Sequence, residues 1–345
     1  MKRLLAMLCV VVMVFALTAC GSNAPAASEA NTEGSVSQEP AESSAEAESP
    51  AAASDVVVGY MAKNTVDAFH ATLNGVAKEI LDGYAEDGTI AGWQFFDAQT
   101  DPANQISQLE DAITNGCNFI IMLPCEAAGS DPIVKRCAEL EIPCIVVNSY
   151  TDSTFELATG YAGSDDVQAG EMMADYVMSQ IPEGGLYAHM MGVVGSSAQI
   201  DRGKGITNKM NADSGWECAG DYPAEWLAEK AVSFATDVIT QHGDDLKAIL
   251  CDNDDMSSAV QAYCNSIDRS DIICIGVDGN KGPLTMIKDG TLGATVFQDG
   301  AGQMRYALEL IPYIIAGDTT TMEYFNSQIP FILVTKDNVG DYLKN

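Results

Sequence analysis

Positive charge and histidine are scarce in this chain. Its 345 residues hold 17 Lys and Arg against 49 Asp and Glu, a formal charge of −32. A field of that sign repels polyanions, and no basic stripe offsets it, so nucleic-acid binding is excluded. The acidity speaks for solubility rather than for a cationic ligand. Only three histidines occur, His70, His189 and His242, and no nucleophile–base pair is evident among them. The strand-turn-helix expected at Val57–Phe69 lacks G-x-G-x-x-G, and G-x-x-x-x-G-K-S/T is missing throughout. Glycine-rich Gly192 to Ser197 reads as a tight turn, and His189, inside an apolar run, as a satisfied core residue. None of the ten cysteines forms C-x-x-C, which argues against a zinc ribbon or a thioredoxin-like site. No enzyme, no cofactor and no metal are expected.

Long apolar runs are also rare. One lies at the start: Lys2 and Arg3, then Leu4 to Ala16, too short to span a bilayer comfortably. Leu17, Thr18, Ala19 and Cys20 follow. This run resembles the bacterial lipoprotein box, which implies a signal peptide over 1–19 and a lipid on the Cys20 thiol. Residues 20–54 are Ala, Ser, Glu, Pro and Gly with hardly a large apolar side chain, and 21–54 hold six Glu and no Lys or Arg. Such a segment cannot offset its ordering entropy and reads as a disordered, self-repelling tether. A lipid tether suits a cell without an enclosed periplasm, hence a Gram-positive host and an extracytoplasmic address on the cell membrane.

Of the cysteines, Cys9 leaves with the leader. Cys117, Cys125, Cys137, Cys144, Cys218, Cys251, Cys264 and Cys274 remain. Cys144, Cys251 and Cys274 sit in apolar runs, where cysteine acts as a small hydrophobe, and mostly free structural thiols are expected. The compartment permits disulfides.

From residue 55 short apolar runs alternate with helix-period stretches. The runs are Val56–Tyr60, Trp93–Phe96, Phe119–Leu123, Cys144–Val147, Leu186–Val194, Ala248–Cys251, Ile272–Val277 and Gly293–Phe297. The helical stretches include Ala68–Tyr84, Pro102–Asn115, Asp165–Ile181, Glu225–Gln241 and Asp254–Ser266. Continuous hydrophobicity predicts strands covered on both faces, hence parallel strands in a doubly wound α/β fold. Ligands of such sheets bind at the carboxyl ends of strands. Those ends carry Asn148, Asp252 and Asn253, Asp278 and Gln298, with Lys63, Asn64, Asp67, Phe69 and His70 after the first run. Short amides and carboxylates bridge adjacent hydroxyls, and Phe69 and Trp226 offer aromatic plates, which suits a neutral polyhydroxylated ligand. Asp and Asn past a strand also serve as turn residues and N-caps.

Residues 55 to 345 resemble the type I periplasmic sugar-binding protein family, in its ribose and glucose/galactose branch. The resemblance is carried by Asp97-Ala-Gln-Thr-Asp-Pro-Ala-Asn-Gln-Ile-Ser-Gln, Ile120-Ile-Met-Leu-Pro and Glu141-Ile-Pro-Cys-Ile-Val-Val-Asn148. It continues in Gly195-Ser-Ser-Ala, Arg202-Gly-Lys-Gly, Cys251-Asp-Asn-Asp-Asp-Met, Gly276-Val-Asp-Gly and Asp289-Gly-Thr-Leu-Gly-Ala-Thr-Val-Phe-Gln298. It implies two similar doubly wound lobes joined by a three-strand hinge: 55–162 with 299–327, and 163–298 with 328–345. Hinge strands are expected near Ser149–Gly163, Gln298–Gly300 and Phe325–Gln328. Carried over, Phe69 and Trp226 sandwich a sugar ring, and Asn253, Asp278 and Gln298 bind hydroxyls. Asn148 contributes from the first lobe, and His70 stacks or donates. Arg202 either faces the ligand or makes a structural salt bridge to a helix end.

This chain departs from the ribose pattern, which has Asp-Arg at Asn148-Ser149 and an arginine at Ile200. Asn148 with Trp226 looks closer to the glucose/galactose branch, whose His and Asp before Arg202 are here Ser196 and Ala198. No Asp-rich loop resembles that branch's calcium site. The family implies a monomer that delivers a sugar or polyol to the membrane permease of an ABC transporter, with ATP hydrolysis on another subunit. The alternative is a sensor of sugar or nucleoside that signals to a membrane receptor or kinase. A transcription regulator of the same fold would need a basic helix-turn-helix where this chain has a leader and an acidic tether.

Overall fold

The structure is a computed structural model that describes residues 54–212, 215–318 and 329–343. The expected leader 1–19, Cys20, the tether up to residue 53 and the hinge segment Phe325–Gln328 lie outside the described residues.

Five parallel strands form the first sheet: β1 (Val57–Ala62), β2 (Gly92–Asp97), β3 (Phe119–Met122), β4 (Cys144–Asn148) and β5 (Gly160–Gly163), in the order β2-β1-β3-β4-β5. Alternate residues of one strand enter different cores. Tyr60, Phe119, Ile121, Ile145 and Val147 pack with helix Ala68–Glu86 on one face. Met61, Ile120, Met122, Cys144 and Val146 pack on the other with Leu109 and Ala112 of helix Pro102–Thr114 and Ile133, Val134 and Cys137 of helix Asp131–Glu139. Burial on both faces is why these strands read as unbroken apolar runs.

The second sheet repeats the plan with β6 (Gly185–Met191), β7 (Trp216–Pro223), β8 (Leu246–Cys251) and β9 (Ile273–Ile275), ordered β7-β6-β8-β9 and all parallel. Ala248, Leu250 and Ile275 face one core, and Ile249, Cys251 and Cys274 the other. A small third sheet joins β10 (Val277–Asp278), β11 (Ala294–Phe297) and β12 (Ile332–Thr335). The run expected as one strand over Ile272–Val277 is thus split between two sheets. β12 runs antiparallel to β11, an exception to the all-parallel expectation.

The fold is two lobes of parallel sheet. After β5 the chain leaves the first sheet, and helix Asp166–Gln180 packs in the second lobe's core. Gly160–Gly163, expected as hinge, is therefore the edge strand of the first sheet, and the crossing follows it. After β11, helix Gly300–Glu309 returns Met304, Ala307 and Leu308 to the core of the first lobe. The helix expected from Glu225 starts instead at Ala228, because Glu225 and Trp226 hold φ of 56° and 65°, outside the helical region.

Helices Asp166–Gln180 and Ser197–Met210 approach closely through Gly170 and Gly205. A Cβ on Gly170 would stand 2.1 Å from the Arg202 carbonyl oxygen, and one on Gly205 2.1 Å from that of Val167. This contact brings Arg202 to Asp166.

The eight cysteines of the described residues are free thiols, as expected, and seven are buried; Cys218 is exposed. Among the described residues no helix is long and apolar enough to cross a membrane.

Candidate functional site

The strand ends of both lobes converge on one cavity, partly open to solvent. All eight residues singled out from the sequence line it: Phe69, His70 and Asn148 from the first lobe, Arg202, Trp226, Asn253 and Asp278 from the second, and Gln298 at the crossing. Lys63, Asp67, Ser149, Ala198 and Asp255 complete the wall.

Arg202 lines the cavity and makes the structural salt bridge to a helix end. It is buried, and its Nε donates to Asp166 Oδ1 at 2.8 Å, at the start of a helix. Its Nη1 donates to the Asp252 carbonyl and its Nη2 to Gln298 Oε1 at 3.1 Å. Its guanidinium carbon stands 5.9 Å from the centre of the Trp226 ring, within cation–π range. Bound this way, Gln298 keeps its Nε2 buried without a protein partner among the described residues.

Asn253 likewise does two things. Its Oδ1 caps helix Asp254–Ser266 by accepting from the Met256 amide at 3.1 Å, and its Nδ2 donates to the Trp226 carbonyl at 3.4 Å. The Asp252 side chain turns away from the cavity into the second lobe. Its carboxylate accepts from the Gly192 amide and meets His189 Nε2 at 2.8 Å, while His189 Nδ1 meets Asp221 at 3.0 Å. His189 is a satisfied core residue, as expected. Burial opposes its charge, but the carboxylates of Asp252 and Asp221 outweigh that and raise its pKa to about 9.

In the first lobe Asp67 caps helix Ala68–Glu86 through the His70 amide (2.7 Å) and holds His70 Nδ1 at 2.8 Å. Burial resists ionisation of Asp67, yet these bonds and the His70 ring hold its carboxyl below the usual range. With Nδ1 engaged by a carboxylate, the proton of a neutral ring sits there, which leaves Nε2 as an acceptor. That Nε2 is buried and lacks a partner among the described residues. Asn148 donates to Gln303 Oε1 at 3.0 Å, and Gln303 in turn donates to Ser164 at 2.7 Å.

The Lys63 carbonyl accepts from the Thr100 amide, but its ammonium makes no hydrogen bond or ion pair among the described residues and lies 5.6 Å from the centre of the Trp226 ring. Burial lowers its pKa against the pull of Cys125 and Asp67. Burial likewise pushes the Asp278 carboxyl well above its usual range, reinforced by the neighbouring Asp254 and opposed by Arg202. Asp255 is raised by burial and by Asp67 across the cleft.

Three cavity residues hold backbone angles that L side chains rarely adopt: Asn148 (φ 69°), Trp226 (65°) and Asp278 (134°). Such strain persists where surrounding structure over-determines it. The Trp226 ring lies directly on glycine backbone, since a Cβ on Gly192 would stand 2.1 Å from the indole. The Trp226 Nε1 is also buried without a partner among the described residues.

Sequence reading places Lys63 and Asp67 at a strand end without assigning them to the site. It misses Gln303, which holds Asn148. The one signal for Gln303 is a place on the inner face of helix Gly300–Glu309, beside the buried Met304 and Ala307.

A family model described as periplasmic binding protein domain matches residues 58–319. The ribose import binding protein of Salmonella typhimurium is 24% identical over 274 residues, covering 78% of this chain and 90% of that protein. The xylitol-binding protein of Mycolicibacterium smegmatis is 27% identical over 263 residues, covering 76% and 73%. Among solved structures, an ABC transporter solute binding protein from Bacillus halodurans with bound myo-inositol superposes with a TM-score of 0.78 at 26% identity. The match covers 85% of this chain and 99% of that one.

Proposed function

The chain belongs to the periplasmic binding protein domain family, and from that premise we propose that it captures a neutral monosaccharide or polyol for an ABC importer. The observation that carries the reading is a set of three orphaned polar atoms. His70 Nε2, Trp226 Nε1 and Gln298 Nε2 are buried without partners among the described residues, and all three residues line one cavity. Burying an unsatisfied polar group costs about 1–3 kcal/mol, and a ligand rich in hydroxyls, each both donor and acceptor, relieves that cost.

Phe69 and Trp226 supply the faces for the ring's C–H surfaces. Asn148, Asn253, Asp278, Gln298, Arg202 and His70 supply the polar edge. The raised Asp278 carboxyl favours its neutral form, which donates as well as accepts. Arg202 is already paired with Asp166, and Asp67 and Asp255 share the wall with Lys63, so the cavity carries no net positive charge to hold a sugar acid or sugar phosphate. The named ligands of the relatives, ribose, xylitol and myo-inositol, are all neutral polyhydroxylated molecules.

The role has no catalytic step. Ligand contacts from both lobes stabilise the closed form, which docks on a membrane permease. Binding shifts that equilibrium only by its differential affinity for the closed state. We place the protein outside the cytoplasmic membrane, tethered by lipid on Cys20.

A thermal-shift screen of neutral sugars and polyols tests the reading. At 100 times Kd a true ligand stabilises by about 2.7 kcal/mol. Silence across that panel with a response to amino acids or nucleosides would overturn the assignment.

A further inference from the structure

Outside the cavity the two lobes also touch directly. The Tyr150 hydroxyl donates to Asp201 Oδ2, the Tyr150 amide donates to Ser197 Oγ at 3.0 Å, and the Ala127 amide donates to the Gly195 carbonyl at 2.9 Å. Ala127 and Tyr150 follow β3 and β4 of the first lobe. Gly195 precedes helix Ser197–Met210 of the second, and Ser197 and Asp201 lie on it. None of the five lines the cavity.

The seam is pre-built on both sides. The Tyr150 ring packs on Phe155 at 5.2 Å and edge-on to Tyr161 at 6.2 Å between centroids, which fixes where its hydroxyl points. Opposite, Asp201 and Ser197 sit on a helix locked against its neighbour through the Gly170–Gly205 contact. Gly195 holds φ of 96° in the turn that presents its carbonyl. Two rigid surfaces that meet through a bond to a carboxylate form a switchable contact, because opening the lobes returns every one of these groups to water.

We propose that Tyr150, with Asp201, is an interlobe latch that biases the closed form without touching the ligand. It rests on the two-lobed cleft of the reading above but not on the identity of what binds there. Any bias toward closure raises apparent affinity in proportion to the closed fraction, so the latch sets binding strength from outside the cavity.

The test uses ligand-free full-length mature protein, comparing wild type with Tyr150→Phe and Asp201→Ala. Tyr150→Phe keeps the ring packing and removes only the donor. Hydrogen exchange of segments containing Ala127 and residues 195–201 should quicken by about tenfold in both variants, the loss expected for one bond to a charged acceptor. Core strands β3 and β8 should keep their protection, and small-angle scattering should show a larger radius of gyration. Unchanged exchange at the seam and unchanged scattering in both variants would overturn the latch. A loss of core protection as well would mark the two residues as merely structural. Neither readout involves a sugar, so a failed ligand assignment leaves the result intact.

Discussion

Arg202 Nε meets Asp166 Oδ1 at 2.8 Å, with both side chains almost wholly withdrawn from water. Burial pushes the Asp166 carboxyl up, and the guanidinium opposes that push. Removing one partner of such a pair leaves a buried charge, at a cost of about 3–5 kcal/mol. Arg202→Met should therefore lower unfolding stability by that order in urea titrations. Arg202→Met with Asp166→Leu should recover most of it, while both variants lose the bond to Gln298 and weaken sugar binding.

The same pair depends on helix spacing. Gly205→Ala places a methyl 2.1 Å from the Val167 carbonyl oxygen, a contact only helix separation can relieve. Overpacking of this kind costs roughly 1–3 kcal/mol. We expect a lower melting temperature together with weaker binding, because Arg202 moves with its helix. Gly282→Ala, with open space around its Cβ, serves as the neutral control in the same melting assay.

The fold was legible where strands are buried on both faces and so appear as unbroken apolar runs, as in β3 and β4. It was illegible at two of the sheet edges. Trp216–Pro223 is an edge strand exposed along much of its length, so its residues carry no apolar run to detect. Gly160–Gly163 is too short and small to stand out, although all four residues are buried. Strand ends pointed to the cavity because the carboxyl ends of the parallel strands converge on it. What escaped was tertiary: burial of Lys63 is invisible in one dimension, and Gln303 reaches Asn148 from 155 positions away.

His189 predicts a pH dependence. Its folded pKa is raised to about 9, against 6.5 for an unperturbed imidazole, so folding favours the charged ring. The resulting stability is fully present below about pH 6.5 and is lost as pH rises through about 9, by about 3 kcal/mol at most. Urea midpoints should fall across that window in wild type. In His189→Gln the fall should be absent, and a flat wild-type profile would refute the assignment of charge.

Lipid anchoring has an equally direct check. Wild-type protein expressed in a Gram-positive host should partition with membranes and take up labelled fatty acid. Cys20→Ala should release the protein to the medium without changing its sugar response, since the thiol lies far along the chain from every cavity residue. Retention of the variant on membranes would refute the anchor.

Trp226 stands on Gly192, and this contact separates binding from folding. The indole is half-buried, held at φ 65°, flanked by the Lys63 ammonium and the Arg202 guanidinium, and has its N–H without a partner among the described residues. Trp226→Ala removes a ring face and a hydroxyl partner, so binding should fall by at least about 100-fold, equivalent to about 2.7 kcal/mol. Gly192→Ala deletes no ligand-facing side chain but drives a methyl into the space the Trp226 indole occupies. If the ring's placement governs affinity, this remote methyl should weaken binding nearly as much as the truncation. Isothermal titration of the two variants against the sugar found by thermal shift decides the matter. Wild-type affinity in Gly192→Ala would mean that the indole's placement on the glycine backbone is irrelevant to recognition.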